Sequence, residues 1–263
     1  MNFKTRSYQA ELLDNEEIPT EDLYQNLREL DFINRYLGGH AVVLNGIGYF
    51  VNIIKNIYSE NIENIKQKEV SEQSIKLDNS EQVKISNTIK IFEIGSGGGD
   101  NLRAINKYLR AKIIPFQLGG VDLKEDCVRF AEKYNSESSK INYQIADYQL
   151  VTFYESKPDI IFNSLFCHHF NDEDLIKMLR WMYQNSESGF IIADLHRHPL
   201  AYYSIKWLTW LFSKSYLVKN DAPLSVLRGF TRKELEVLFE KAGIVTYKIK
   251  WKWAFRWLIL VEK

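Results

Sequence analysis

From Ile89 to its C-terminus the chain alternates short apolar runs with amphipathic stretches, and no other feature restricts the fold as much. The apolar runs fall at 89–94, 118–122, 141–146, 159–165, 189–195, 244–253 and 255–261. Between most of them lie stretches with helical spacing, at 100–110, 124–134, 173–184 and 231–242. Strands alternating with helices pair in parallel and are covered by those helices on both faces. An α/β protein with a mostly parallel sheet is therefore predicted. The helix at 231–242 opens on a capping box, Thr231 with Glu234, and stops at Gly243.

The last two runs break the parallel pattern. In 247–253, Tyr247, Ile249, Trp251 and Trp253 alternate with Lys248, Lys250 and Lys252. One apolar face and one lysine face suit an edge strand that resists pairing with another chain. Trp257 to Val261 is continuously apolar, as a strand buried on both faces should be. With so few residues between them the two form a hairpin, so an antiparallel strand is expected inside the edge strand.

Before Ile89 the pattern is helical. Thr20 can cap a helix over 19–37, in which Leu23, Leu27, Leu30, Ile33 and Leu37 recur at helical spacing before Gly38 and Gly39. A second helical stretch covers about 44–66, and 60–88 is dominated by Glu, Asn, Gln, Lys and Ser. Residues 1–88 are thus expected to form an N-terminal helical cap and polar connector, and 89–263 the main domain. Residues 199–230 are expected to be an insertion after the fifth strand.

Ile91 to Asp100 follows a strand and opens a helix, with the spacing Glu93-x-Gly95-x-Gly97-x-Gly99. Glycines let such a turn bring backbone close to a ligand. It is not a P-loop, because no Gly-Lys-Ser/Thr follows, and Asp100 stands where the dinucleotide fingerprint has its third glycine. The next strand ends in Asp122, 27 residues after Gly95, and the one after it ends in Asp147. An acid at the first position can accept hydrogen bonds from ribose hydroxyls. Both could instead cap the turns that follow.

These residues and the terminal hairpin resemble a class I S-adenosylmethionine-dependent methyltransferase. The resemblance covers about 89–263. It implies a Rossmann-like sheet of seven strands in the order 3-2-1-4-5-7-6 with the last antiparallel. It implies that the Gly95–Gly99 loop passes the methionine moiety of S-adenosylmethionine, with S-adenosylhomocysteine as product. Asp122 would hold the ribose, Asp147 would meet the adenine amino group, and Glu93 would support the loop. Ser96, Leu123, Tyr148 and Asn163 complete the expected cofactor set. The run Leu27 to His40 is further similar to small-molecule methyltransferases found beside bacterial polyketide and pigment biosynthesis enzymes.

The acceptor is read from the fourth and fifth strand ends. The fourth ends Asn163-Ser164-Leu165-Phe166, without the two prolines of base-modifying amino methyltransferases. Lys and Arg total 34, as do Asp and Glu, which argues against binding nucleic acid by charge. Four of the five histidines, His168, His169, His196 and His198, follow these two strands. A phenol is mostly neutral at pH 7 and benefits from a base, a task histidine suits. His168, His169 and His196 are the candidate bases, although the first two could merely pack and cap the next helix. No metal set is expected, because the acidic ligand cluster of metal-dependent catechol methyltransferases is not evident.

Aromatic residues make up 14% of the chain, and six lie in the 16 residues from Ala201 to Tyr216. An aromatic lid over an apolar acceptor is the expected role. Phe166, His198, Tyr202, Tyr203 and Trp207 are the candidate substrate residues. A core-packing helix, or a membrane-surface helix flanked by Lys206 and Lys214, would use the same residues. The two cysteines, Cys127 and Cys167, cannot form a disulfide framework. The N-terminus has no apolar signal core and no stretch approaches the roughly 20 apolar residues of a spanning helix, so a cytoplasmic protein is expected. The function expected is methyl transfer to a small aromatic or polyketide-like acceptor, most readily at a hydroxyl oxygen. The rivals are a nucleic-acid methyltransferase and a cofactor-binding regulator without chemistry.

Overall fold

The computed structural model describes residues 1–263 except 16, 72–87, 136–140 and 155, and except the side chains of 61–71. Most of the connector expected at 60–88 thus lies outside the described residues.

Seven strands form one sheet: β1 (Ile89–Ile94), β2 (Phe116–Asp122), β3 (Ile141–Ile145), β4 (Ile160–Ser164), β5 (Gly189–Leu195), β6 (Tyr247–Lys252) and β7 (Arg256–Glu262). Their order is β3-β2-β1-β4-β5-β7-β6. β3, β2, β1, β4 and β5 run parallel, and β7 is antiparallel to both β5 and β6. The strand read as buried on both faces is indeed an inner one, with Ile259 opposite Ile192 of β5 and Ile249 of β6. The apolar side of β6 is less covered than its alternation suggests. Ile249 is buried, whereas Trp251 and the following Trp253 remain exposed.

Eight helices surround the sheet among the described residues: α1 (Thr20–Tyr36), α2 (Gly39–Ser71), α3 (Asp100–Ala111), α4 (Glu125–Lys133), α5 (Asp172–Asn185), α6 (Pro199–Phe212), α7 (Tyr216–Arg228) and α8 (Arg232–Ala242). On one face α2, α3 and α4 pack on the strands; on the other lie α5 and α8. The capping box of α8 is formed, and Gly243 closes the helix in the left-handed region.

The division expected at residue 88 does not separate two cores. Ile47, Phe50 and Ile54 of α2 are buried in the same cluster as Ile91, Phe162 and Leu258 of the sheet. The apolar residues of α2 recur at helical spacing and need a partner surface, which the sheet supplies. α1 is the true covering element. It lies above the strand ends and packs on α2, α4 and α7. The insertion after β5 is the helix pair α6 and α7, joined through Ala201, Tyr202 and Leu224. Both cysteines are buried and unpaired. No single helix among the described residues is long and apolar enough to cross a membrane.

Candidate active site

The carboxyl ends of β1, β2 and β3 open into a cavity of about 380 Å³, roofed by Leu27, Leu30 and Asn34 of α1. Gly95, Gly97 and Gly99 have φ of 66°, 50° and 71°, a region glycine enters without steric cost. Gly97 lines the cavity, and a Cβ there would meet no atom within 4 Å, so it would intrude only on the cavity itself. Gly99 has another task and is not a wall. A Cβ on it would come within 2.3 Å of the Tyr143 hydroxyl, so the glycine lets α3 approach β3.

The acids at the strand ends line this cavity. Asp122 Oδ2 accepts the Gly97 amide at 2.7 Å and Oδ1 accepts the Lys124 amide at 2.9 Å. Each oxygen keeps a further lone pair for a ligand hydroxyl. Burial pushes this carboxyl above its ordinary range, against those amide bonds. Asp147 caps the short turn Tyr148–Leu150 through Gln149 and also lines the cavity, so capping and ligand contact are not exclusive there. Glu93 accepts the Asn101 amide at 3.1 Å, and burial raises its carboxyl well above the usual range. Glu93 Oε2, Ser96 Oγ and Tyr148 Oη are buried without a protein partner, and all three residues line the cavity. Buried polar atoms are seldom left unpaired. The set therefore fits a polar ligand. Leu123 lines the cavity as well.

Asn163 does not. Its amide lies 3.5 Å from Met182 Sδ and its carbonyl oxygen 3.3 Å from Cys167 Sγ, beneath α5. Strand alternation turns it to the far face of the sheet, and Ser164 and Leu165 form the wall instead.

A second cavity of about 320 Å³ adjoins the first and is enclosed by α1, α6, α7 and the segment before β7. Leu13, Leu30, Leu165 and His169 line both. Leu165 holds the junction in a left-handed conformation, φ 52°, which is rare for a non-glycine residue. The second cavity is largely aliphatic, with a polar end made by Glu11, His168 and His169.

Carboxylates pair with both imidazoles at that polar end, Asp194 with His168 in the interior and Asp14 with His169 nearer the surface. His168 Nδ1 lies 2.7 Å from Asp194 Oδ1, and His169 Nδ1 lies 2.8 Å from Asp14 Oδ1. A carboxylate at Nδ1 fixes the proton there in a neutral imidazole and leaves a lone pair on Nε2. The two Nε2 atoms lie 3.7 and 4.0 Å from the oxygens of Glu11. Burial pushes Glu11 up to about 7, against His169, Ser225 and Arg228. Burial acts on Asp14 and Asp194 in the same direction. Hydrogen bonds from His169 and Arg228 nevertheless hold Asp14 well below the carboxylate range, and His168 lowers Asp194. Arg228 donates to the carbonyls of His168 and His169 at 3.0 and 2.8 Å, and to Asp14 at 2.7 Å. Arg6 donates to the carbonyl of Arg228 at 2.8 Å and that of His168 at 3.1 Å. Two arginines thus fix the backbone that presents both imidazoles.

The ligand atoms of Glu11, His168 and His169 lie within 4.8 Å of one another, as do those of Asp31, His40 and Asp100. Either group could hold a metal ion, which the absence of an acidic cluster in the sequence did not suggest.

The other candidates lie elsewhere. His196 Nδ1 accepts the Trp251 indole N–H at 3.3 Å, its ring packs on Trp257, and burial lowers its pKa. His198 caps α6 through the Leu200 amide and stacks on Phe255. Neither lines a cavity among those just described. Phe166 lines the first cavity rather than the second. α6 does wall the second cavity, but through Ala201, Ser204, Ile205 and Leu208. Tyr202 is buried against Phe3, and Tyr203 and Trp207 are exposed. The aromatic positions of the helix and its cavity-facing positions are different faces. Arg6, Glu11 and Asp14 carry no pattern in the sequence, because a polar N-terminal stretch looks the same whether it is solvated or threaded under a helix.

Residues 91–189 match the family model described as a methyltransferase domain. Among curated proteins, none matches the chain in sequence. Among solved structures it is similar to the plantazolicin methyltransferase BpumL in complex with SAH, at TM-score 0.56 and 17% identity over 93% of this chain and 95% of that one. The same enzyme with a pentazolic desmethylPZN analogue and SAH gives 0.52, with 17% identity over 91% and 99%. Human N-acetylserotonin methyltransferase in complex with SAM gives 0.48, with 19% identity over 66% and 47%.

Proposed function

We propose that the chain is a class I S-adenosylmethionine-dependent methyltransferase, a reading supported by the methyltransferase-domain match over residues 91–189, and that it methylates a hydroxyl oxygen of a small aromatic or polyketide-like acceptor, of the kind made in secondary metabolism, in the cytoplasm. One observation carries this reading: the two cavities share His169 and Leu165 as walls, so a donor held in one would adjoin a nucleophile held in the other. When bound, S-adenosylmethionine supplies an electrophilic methyl group on a sulfonium. The chain's own residues do the rest. Asp122 holds the ribose hydroxyls, Asp147 the adenine amino group, and the glycine loop admits the methionine moiety.

In the second cavity the aliphatic walls exclude water and align the acceptor. Transfer of a methyl group is an in-line displacement, and alignment of donor and acceptor removes much of its entropic barrier. His169 Nε2 takes the acceptor's proton while Asp14 stabilises the imidazolium that forms. His168, paired with Asp194, holds Glu11 opposite both Nε2 atoms. Two unpaired, buried cysteines suit a reducing compartment.

The test is a screen of phenols, quinols and amines with labelled S-adenosylmethionine, alongside His169→Ala and His168→Ala. Methylated phenols with wild type and a large loss in His169→Ala are expected. Wild-type rates in both variants would rule out the base. Label on amines alone would move the acceptor atom to nitrogen.

A further inference from the structure

α6 carries more apolar surface than its packing uses. Trp207, Trp210, Leu211 and Phe212 are 68%, 66%, 63% and 72% exposed. Trp207 lies four residues after Tyr203, and Trp210 and Leu211 lie three and four after Trp207, so they form a continuous stripe. The two tryptophan rings touch, with centroids 5.9 Å apart. A soluble monomer seldom leaves such a patch uncovered.

Within the segment that carries the patch the charged side chains have one sign. Residues 199–220 contain no Asp or Glu but hold Lys206, Lys214 and Lys219, all exposed, in a chain whose charges otherwise balance at 34 each. Glu29 of α1 approaches the end of α6, but the Lys214 and Ser215 amides occupy its carboxylate at 2.9 and 3.1 Å. The patch also has a position. Leu208, next to Trp207 on α6, and Trp253 are both exposed and line the second cavity, so the aromatic face lies beside the mouth of that cavity.

We propose that this face docks on an anionic membrane surface. Trp207, Trp210, Leu211 and Phe212 enter the boundary between headgroups and acyl chains, and Lys206 and Lys214 meet lipid phosphates. A helix with exposed tryptophans, flanking lysines and only 14 residues lies in that boundary and does not span it. A second copy of the chain is a poorer occupant. A two-fold interface would bring the same lysines together with no acid of this segment to pair them. Resting on the function proposed above, the cavity then opens toward the bilayer, and the acceptor is a lipid-soluble hydroxyl compound.

Co-sedimentation with vesicles tests this. The vesicles are pure phosphatidylcholine, or equimolar phosphatidylcholine and phosphatidylglycerol. The variants are Trp210→Ser with Phe212→Ser, and Lys206→Glu with Lys214→Glu, each first shown by calorimetry to bind S-adenosylhomocysteine. Wild type should partition onto the anionic vesicles. The aromatic pair should lose about tenfold or more on both compositions. The lysine pair should lose about fivefold or more per charge, on anionic vesicles alone. Wild type that binds S-adenosylhomocysteine but stays in the supernatant overturns the proposal. So does a wild-type dimer, seen by sedimentation velocity, that the aromatic pair dissociates. Vesicle binding does not depend on turnover. Failure of the methylation screen alongside intact vesicle binding would count against the acceptor, not against this surface.

Discussion

Asp14→Asn separates a base from a merely placed imidazole. Asp14 Oδ1 lies 2.8 Å from His169 Nδ1, and its carboxylate is held ionised well below the usual range. The amide keeps the shape but removes the charge opposite an imidazolium. A hydrogen bond between charged partners contributes about 1.5–3 kcal/mol, which corresponds to about 10- to 150-fold in rate. The substitution also takes the carboxylate from Arg228, 2.7 Å away, so rates should be compared at a temperature where both proteins are fully folded. The assay is kcat/KM for a phenolic acceptor against pH, with saturating S-adenosylmethionine. Near pH 7 the variant should be about 10- to 150-fold slower. Toward pH 10, where a phenol ionises without help, the deficit should shrink to within about threefold. A deficit of the same size at every pH would refute the base and leave Asp14 a role in placement only. No deficit at pH 7 would remove the dyad from the mechanism.

Further outcomes follow from the same geometry. Asp122→Ala should weaken S-adenosylhomocysteine binding by about tenfold or more in calorimetry, because two ribose hydroxyls lose an ionic acceptor. Glu11→Gln should change how stability depends on pH. The carboxyl goes from 4.5 to about 7 on folding, so its stabilising contribution is complete below 4.5 and is lost as pH rises through 7, a linkage of about 3 kcal/mol. The melting temperature of the variant relative to wild type should therefore rise between pH 5 and pH 8, and a flat difference would contradict the buried carboxyl. Ala222→Phe should fill the second cavity and lower kcat/KM for bulky acceptors while S-adenosylhomocysteine still binds. EDTA should leave the rate unchanged, and loss of activity that a divalent ion restores would assign Glu11, His168 and His169 to a metal instead.

Much of the fold could be read from sequence because local patterns and topology agreed. Alternation of strands and helices, the lysine face of β6 and the unbroken apolar run of β7 each state how many faces are buried. Together they placed the antiparallel strand inside the edge. The cofactor end was legible for a similar reason. Glycines with positive φ and acids at strand ends are demanded locally, by the turn and by the ligand. The acceptor end was not. Asn163 is one alternation away from the wall, so a strand-end register shift of one residue decides its fate. Tyr202, Tyr203 and Trp207 share a helix with Ala201, Ser204 and Ile205, and only the rotation of that helix chooses which set meets the cavity. Aromatic residues of α6 suggested a pocket, yet α6 lines it with Ala201, Ser204, Ile205 and Leu208. Glu11, Asp14 and Arg6 come from a segment without periodicity, and their role exists only through contacts more than a hundred residues away in sequence.

A crystal structure of the protein with S-adenosylhomocysteine tests the central claim most directly. The account predicts ribose hydroxyls on Asp122, the adenine amino group near Asp147, and the sulfur facing the junction at Leu165 and His169, open to the second cavity. A sulfur turned away from that junction, or a ligand seated outside the cavity at the ends of β1, β2 and β3, would contradict it.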